Sequence, residues 1–356
     1  MKWIRILVDP LRRHWVWIKW VAAIAILTWL FRQNRATLRQ IDWHNLDWSF
    51  FAVGVVLTGV AFLITFTRWY YLVVSQGLPF TWRDAVRLGF IGILFNYVAP
   101  GAAGGDIVKA LLIAKEHPER KAVAAATVFL DRLLGLIALF CVGAVASLAF
   151  LPLTDYPRLQ MLLSVLWAGT LGGLVGLFLL LHTSLPQSRL VAWMFKIKFV
   201  GPILEEIQRG ILMYQSRKRV LWGAVGLSVI GHFAFLTVFY CASLALESGP
   251  AAPSFIGHLF LIPAAELVGV LIPTPAGIGA LEGAVQGVFV MGNEMAAHPV
   301  EKELAAAAGF SVALVFRLTN MMTALIGGAF YLSNRREIEE VLEEEEHLLE
   351  DEQITD

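Results

Sequence analysis

The feature that most constrains this chain is the recurrence of apolar runs about 20 residues long or longer. Each run can cross the roughly 30 Å hydrocarbon core of a bilayer as an α-helix, since a helix rises about 1.5 Å per residue. The composition agrees, because 58% of the 356 residues are hydrophobic and only 16% are charged. Soluble domains carry about a quarter charged residues. The runs therefore predict an all-α integral membrane protein.

Six of the apolar runs are candidates for complete membrane crossings, and they cover residues 15–31, 48–74, 121–151, 161–182, 221–246 and 304–332. The first run follows a basic N-terminus, in the manner of a signal peptide. However, the bulky and charged residues 31–35 offer no small-residue cleavage site. We therefore expect the first run to remain as an uncleaved helix.

Two further apolar stretches, near residues 85–115 and 256–292, are interrupted in the middle by glycine and proline. Each stretch therefore predicts two half-length helices joined at a break, because proline and glycine interrupt a helix. A break at membrane depth is tolerated only where it is buried in protein or lines a water-filled cavity. We predict that both stretches are re-entrant helical hairpins.

The distribution of the 28 lysine and arginine residues predicts the orientation. Most of them fall in cytoplasmic segments if the N-terminus is inside, as the positive-inside rule requires. This orientation places both termini of a multi-pass cell-membrane protein in the cytoplasm. The first hairpin then enters from the cytoplasm and the second from the opposite face. A span, a hairpin and a span thus occur twice with opposite polarity, which predicts an inverted repeat with a site between its halves.

The domain organisation follows from the same pattern. Residues 1–335 form one membrane domain, and residues 336–356 form an acidic cytoplasmic tail that contains a run of glutamates. The segment 183–220 is basic and amphipathic, so it either lies on the inner leaflet against anionic headgroups or is a solvated linker.

The first break carries six candidate substrate-binding residues, which are Asn96, Pro100, Gly104, Gly105, Asp106 and Lys109. The proline and the glycines free backbone polar groups that can bind a ligand. Asp106 has two interpretations. It either caps the following helix at the positive end of the helix dipole, or it faces a polar cavity, where it attracts a headgroup or carries a proton. Lys109, three residues later, lies on the same helical face and is a candidate ion-pair partner of Asp106.

The second break and two of the spans supply the remaining candidates, which are Glu266, Pro275, Gly277, Gly279, Glu282, Asp131, Arg132 and Arg317. An unpaired charge in an apolar helix costs about 3 kcal/mol on insertion scales, so the carboxylates need cationic partners. Arg317 lies near the middle of its span, and we expect it to face inward toward a hairpin carboxylate or a lipid phosphate. Arg68 either pairs inside the bundle or extends to the interface.

The order of these motifs resembles the flippase-like transmembrane region of lysylphosphatidylglycerol synthases. The resemblance implies a domain that moves a lipid with a polar headgroup between leaflets. Three positions depart from the family pattern: Lys109 stands where arginine is usual, Asp131 where glutamate is usual, and Ala276 where glycine is frequent. Lysine cannot make the two-pronged phosphate contact of arginine. Since the chain ends soon after the last span, we expect a stand-alone member without the synthase domain.

The motifs also limit the class of function. The sequence contains no phosphate-binding loop, zinc-spaced His/Cys set or nucleophile elbow, so we expect no ATP hydrolysis, enzyme activity, cofactor or metal. The formal net charge of zero implies no basic face for a nucleic-acid partner. The leading hypothesis is a lipid translocase whose partner is a membrane phospholipid or another polar lipid. The alternatives are a secondary transporter of a small soluble solute and a non-transporting membrane partner of a lipid-modifying enzyme.

Overall fold

The computed structural model describes residues 46–98, 104–152, 155–182, 217–272 and 274–334, together with position 214 and isolated positions between 21 and 32. Four features predicted from the sequence lie outside the described residues, wholly or for the most part. They are the first span at 15–31, Pro100, the amphipathic segment 183–220 and the acidic tail 336–356.

The described part of the chain consists of α-helices, short 3₁₀ turns and loops, without a β-strand. In chain order its nine α-helices are α1 (Trp48–Ser75), α2 (Trp82–Val98), α3 (Gly104–Glu116), α4 (Lys121–Ser147), α5 (Pro157–His182), α6 (Lys218–Ala245), α7 (Phe255–Leu271), α8 (Ala280–Glu294) and α9 (Lys302–Ser333). Helices α1, α4, α5, α6 and α9 are long and apolar enough to cross a membrane. They coincide with five of the six predicted crossings, and the all-α class is confirmed.

Helices α2 and α3 form an antiparallel pair where the first broken stretch was predicted. At one end of the pair, the Gly105 N–H donates a hydrogen bond to Asn96 Oδ1 at 3.0 Å. At the other end, Arg87 and Glu116 form an ion pair at 2.6 Å. A Cβ atom on Gly105 would lie 1.8 Å from the Gly92 carbonyl oxygen, so only glycine fits at this helix contact.

Helices α7 and α8 form a second antiparallel pair. Gly269 packs against Leu281 near the connecting turn, and Gly292 packs against Leu261 at the opposite end. The connection contains a 3₁₀ turn, Pro275–Gly277, and the backbone of Gly277 and Gly279 has positive φ angles of 67° and 83°. Glycine adopts such angles without steric cost, which explains why the second break is rich in this residue.

Helix α9 lies against both hairpins along its length. Its C-terminal half packs on α2, where Gly327 touches the Phe90 backbone and Asn334 accepts a hydrogen bond from Arg87 at 3.2 Å. Its N-terminal half packs on α8, where Gly309 touches Phe289. The two open ends of the hairpins therefore lie at opposite ends of α9, and their tips lie near its middle.

Helix α4 makes the corresponding contacts with the other two hairpin helices. Its N-terminal half packs on α3, and Gly143 in its C-terminal half packs against Pro263 of α7. Helices α1 and α6 pack antiparallel, with the Asp47 N–H donating to the Ala245 carbonyl at 2.9 Å beside their ends. The contacts among the described helices are symmetric, apart from those of α5. When α1, α2, α3 and α4 are replaced by α6, α7, α8 and α9 in that order, and the reverse, each packed pair becomes another packed pair.

The backbone of the second break generates a stability prediction. Ala276 has a φ of 48°, a left-handed conformation that costs a non-glycine residue about 1 to 2 kcal/mol. Glycine relieves this strain but loses more conformational entropy on folding. We expect Ala276→Gly to stabilise the protein by roughly 0.5 to 1 kcal/mol, measured as a higher midpoint of thermal unfolding in detergent. Ala284→Gly, inside helix α8, is the control and should destabilise by about 1 kcal/mol. Equal destabilisation by both variants would contradict the left-handed conformation at residue 276.

Candidate functional site

Arg317 and Glu282 connect the second hairpin to the middle of α9. Arg317 Nε donates to Glu282 Oε1, and Arg317 Nη1 donates to the Ala276 carbonyl at 3.2 Å. The other Glu282 oxygen accepts a hydrogen bond from the Gly279 N–H at 2.7 Å. Glu282 is fully buried, and the predicted inward orientation of Arg317 toward a hairpin carboxylate is confirmed. One carboxylate thus fixes the start of α8, the preceding turn and the central span.

The tip of the first hairpin reaches this pair. Tyr97, next to the last residue of α2, interacts electrostatically with both Arg317 and Glu282. Helix α2 also packs against the Pro275–Gly277 turn. The tips of the two hairpins therefore meet beside Arg317. No sequence motif pointed to Tyr97, although this residue directly follows the candidate Asn96.

Arg132 and Asp106 form a second ion pair, between α4 and α3. Two contacts join them, from Arg132 Nε at 2.6 Å and from Nη2 at 2.7 Å, so the guanidinium holds both carboxylate oxygens. Asp106 is the third residue of α3 and lies in its first turn, where the helix dipole favours a negative charge. Because it lies inside the helix, Asp106 is not the N-cap. Its ion-pair partner is Arg132 and not Lys109.

The second pair differs from the first in exposure. The Arg132 side chain is 55% exposed, whereas that of Arg317 is 11% exposed. Arg132 nevertheless lies well inside its span, because it is 11 positions beyond Lys121, the first residue of α4, which corresponds to about 17 Å of helix. The Arg132–Asp106 pair is therefore less enclosed by the protein than the Arg317–Glu282 pair.

Arg68 and Asp131 form a third pair that joins α1 to α4. Arg68 Nε lies 2.6 Å from Asp131 Oδ1, and Arg68 Nη1 donates to Ser228 Oγ of α6 at 2.6 Å. The side chains are 5% and 1% exposed, so Arg68 points into the bundle and does not extend to the interface. Removal of either partner would leave an uncompensated buried charge, which is strongly unfavourable.

Lys109 completes the charges around the second and third pairs. Its ammonium lies 4.2 Å from the centre of the Trp69 ring, a favourable cation–π distance. It also interacts electrostatically with Asp131 and Asp106. We name five residues the α3–α4 cluster: Arg68, Lys109, Arg132, Asp106 and Asp131. With all five side chains ionised, this cluster carries a net charge of one positive unit.

Glu266, which the sequence grouped with the other candidates, lies outside all three arginine–carboxylate pairs. Its carboxylate is 3.8 Å from His232 Nδ1 of α6, and the two side chains are 17% and 22% exposed. Among the described residues, His232 is the only basic side chain within ion-pair distance of Glu266. The grouping of Glu266 with the headgroup residues therefore stays a prediction.

The remaining candidate residues shape the hairpin tips. Gly104 begins α3 and is buried, and Pro275 begins the turn before α8. Gly105, Gly277 and Gly279 provide the close approach and the positive φ angles described above. Across the described ranges, no three His, Cys, Asp or Glu side chains are arranged to hold a metal ion.

With this geometry, the comparison with known proteins identifies the family. The sequence model of the family described as lysylphosphatidylglycerol synthase TM region matches residues 16–328 of this chain. The chain belongs to this family. A UPF0104 membrane protein of Pyrococcus horikoshii is 26% identical over 344 residues, which are 89% of this chain and 95% of the relative. The family resemblance predicted from the motifs is confirmed, and with the apolar helices it establishes a multi-pass membrane protein.

The buried Arg68–Asp131 pair generates the second prediction. Asp131→Asn leaves the Arg68 charge without its carboxylate, so we expect the free energy of unfolding to fall by about 3 kcal/mol or more. Thermal unfolding in detergent measures the change. Glu294→Gln is the matched control, because Glu294 is 43% exposed and 4.0 Å from Arg158, and surface pairs contribute about 1 kcal/mol or less. A small effect of Asp131→Asn, equal to that of the control, would show that the pair does not stabilise the bundle.

Proposed function

We propose that the protein is a lipid translocase, which moves a lipid with a polar headgroup between the two leaflets of the membrane. The headgroup passes between the hairpin tips, while the acyl chains stay in the bilayer. The observation that carries the proposal is the meeting of two short helical hairpins, from opposite ends of α9, beside arginine–carboxylate pairs in the interior of the spans.

The lengths of the hairpin helices support re-entrant hairpins. Helices α2, α3, α7 and α8 contain 17, 13, 17 and 15 residues. These lengths correspond to roughly 20 to 26 Å, which is less than the roughly 30 Å of a hydrocarbon core. A hairpin of such helices turns back inside the bilayer and leaves on the side from which it entered.

The exchange symmetry of the helix contacts supports an inverted repeat of α1–α4 and α6–α9. The ion pairs follow the same symmetry. Asp106 and Glu282 are each the third residue of the second hairpin helix, and each pairs with an arginine of the next span. The two pairs are therefore equivalent half-sites, and a headgroup can pass from one to the other.

The different exposure of the half-sites supports alternating access. A charged side chain about 17 Å along a span is exposed only where water or a polar group reaches it, because hydrocarbon does not solvate a guanidinium. We infer that a water-filled entrance lies beside Arg132, while the Arg317 half-site is sealed. Rocking of one half against the other opens and closes the two sides in turn.

The charge of the α3–α4 cluster supports an anionic headgroup. Its excess of one positive unit lies next to the exposed guanidinium of Arg132. A lipid phosphate would neutralise this excess, and it can compete with Asp106 for the guanidinium because arginine binds both groups through paired hydrogen bonds. Lys109 adds charge to this half-site without the planar geometry of arginine.

Lipid exchange by the purified protein tests the proposal. Proteoliposomes containing a fluorescent phospholipid are treated with a membrane-impermeant reductant, which destroys the fluorophores in the outer leaflet only. The wild-type protein should expose the inner-leaflet lipid to the reductant. Arg132→Gln and Arg317→Gln should each slow exchange at least tenfold, because each removes the guanidinium of one half-site.

Arg158→Gln is the matched control and should exchange lipid at the wild-type rate, since Arg158 is 70% exposed at the start of α5. Unfolding midpoints of the variants separate lost function from lost structure. Wild-type exchange by folded Arg132→Gln and Arg317→Gln proteins would refute the half-sites. Absence of exchange by the wild-type protein, with uptake of a soluble solute or with no transport at all, would favour the two alternative functions.

A further inference from the structure

Glu266 is set apart from the other carboxylates in the interior of the bundle. Asp106, Asp131 and Glu282 each lie against an arginine side chain. Glu266 instead faces His232, at 3.8 Å, across the contact between α7 and α6. An ionised carboxylate without a cation at membrane depth is unfavourable by about 3 kcal/mol on insertion scales. A proton on the carboxyl group is the available means of neutralising Glu266, because the distance of 3.8 Å to His232 Nδ1 is too long for a hydrogen bond.

Burial and the charges on the neighbouring helices decide which member of the pair holds the proton. Burial has the largest effect on both groups, and it disfavours both the imidazolium of His232 and the carboxylate of Glu266. Arg68 of α1 and Arg132 of α4 act on His232 and oppose a positive charge on its ring, whereas Asp131 of α4 favours it. The two arginines outnumber the single carboxylate. The proton therefore belongs on Glu266 while the α3–α4 cluster keeps its positive excess.

Glu282 of α8 and Arg317 of α9 are the other interior charged groups near α7, whereas Glu294 lies at the exposed end of α8. Glu282 lies on α8, which packs against α7, but its carboxylate is bonded to Arg317 of α9 and to the Gly279 N–H. These two charges neutralise one another. The protonation of Glu266 and His232 thus depends on the α3–α4 cluster and not on the sealed half-site.

We propose that Glu266 and His232 form a proton-binding site that couples lipid movement to a pH gradient. This inference rests on the proposed translocase function. A phosphate bound at Arg132 reduces the positive potential at His232, so the imidazole can take the proton from Glu266, and the freed carboxylate takes another proton from water. Binding of the headgroup and uptake of a proton are then linked, and departure of the headgroup restores the positive potential, so His232 returns its proton to water on the other side. Each proton taken up is released again, so no further reactant is needed.

Lipid exchange under an imposed pH gradient tests the coupling. With the same labelled phospholipid, the wild-type protein should exchange at least twofold faster under one polarity of gradient than at equal pH. Glu266→Gln and His232→Gln should each give the same rate with and without the gradient. Glu294→Gln changes a carboxyl to an amide at the exposed end of α8 and should keep the wild-type response.

Infrared spectroscopy of the purified protein detects protonation of Glu266 without a transport measurement. The wild-type protein near neutral pH should show the carbonyl band of a protonated carboxyl group, and Glu266→Gln should lack that band. Absence of the band from the wild-type spectrum overturns the proposal. An equal rate of lipid exchange by the wild-type protein with and without the gradient also overturns it. A gradient response that persists in folded Glu266→Gln also overturns it. In each of these cases lipid exchange itself stands, whereas a wild-type protein that exchanges no lipid refutes the proposed function.

Discussion

Charges in a low-dielectric interior must find partners within the protein, and this requirement organises the centre of the molecule. The clearest case is Glu282, which is fully buried and accepts hydrogen bonds from Arg317 and the Gly279 N–H. The same arginine donates to the Ala276 carbonyl, so the backbone freed by the break is also satisfied. A broken helix can therefore end in the middle of the bundle without exposing polar groups to lipid. The Arg132–Asp106 pair holds the first hairpin in the same way.

The two long helices that follow the hairpins, α4 and α9, connect the hairpins to each other. Helix α9 touches one helix of each hairpin, and helix α4 touches the other two. Each hairpin is thus held between two spans, and each span connects the two hairpins. In the proposed function, a shift of one hairpin reaches the other through a packed span. The function that we propose uses this connection, because a headgroup must leave one arginine as it reaches the next.

The sequence predicts the elements better than it predicts the partners. The apolar runs specify the five spans because their length alone matches a bilayer, and the glycines mark the breaks because close packing and positive φ angles exclude larger residues. Helical spacing suggested Lys109 as a neighbour of Asp106, but Asp106 pairs with Arg132 and Lys109 lies over Trp69. That choice depends on how α3 rests against α4 and α1, which local spacing does not encode. The position of Glu266 away from the arginine side chains likewise depends on the rotation of α7 about its axis.

The unequal exposure of Arg132 and Arg317 has a consequence for the molecule as a whole. If α1–α4 and α6–α9 are interchangeable repeats, they can differ in conformation at any one time. Each repeat then adopts in turn the conformation that the other repeat has in this structure. Superposing α1–α4 on the coordinates of α6–α9, and the reverse, then generates the opposite member of the cycle, with Arg317 uncovered and Arg132 enclosed. Under this exchange, a single asymmetric structure defines both end states of the cycle.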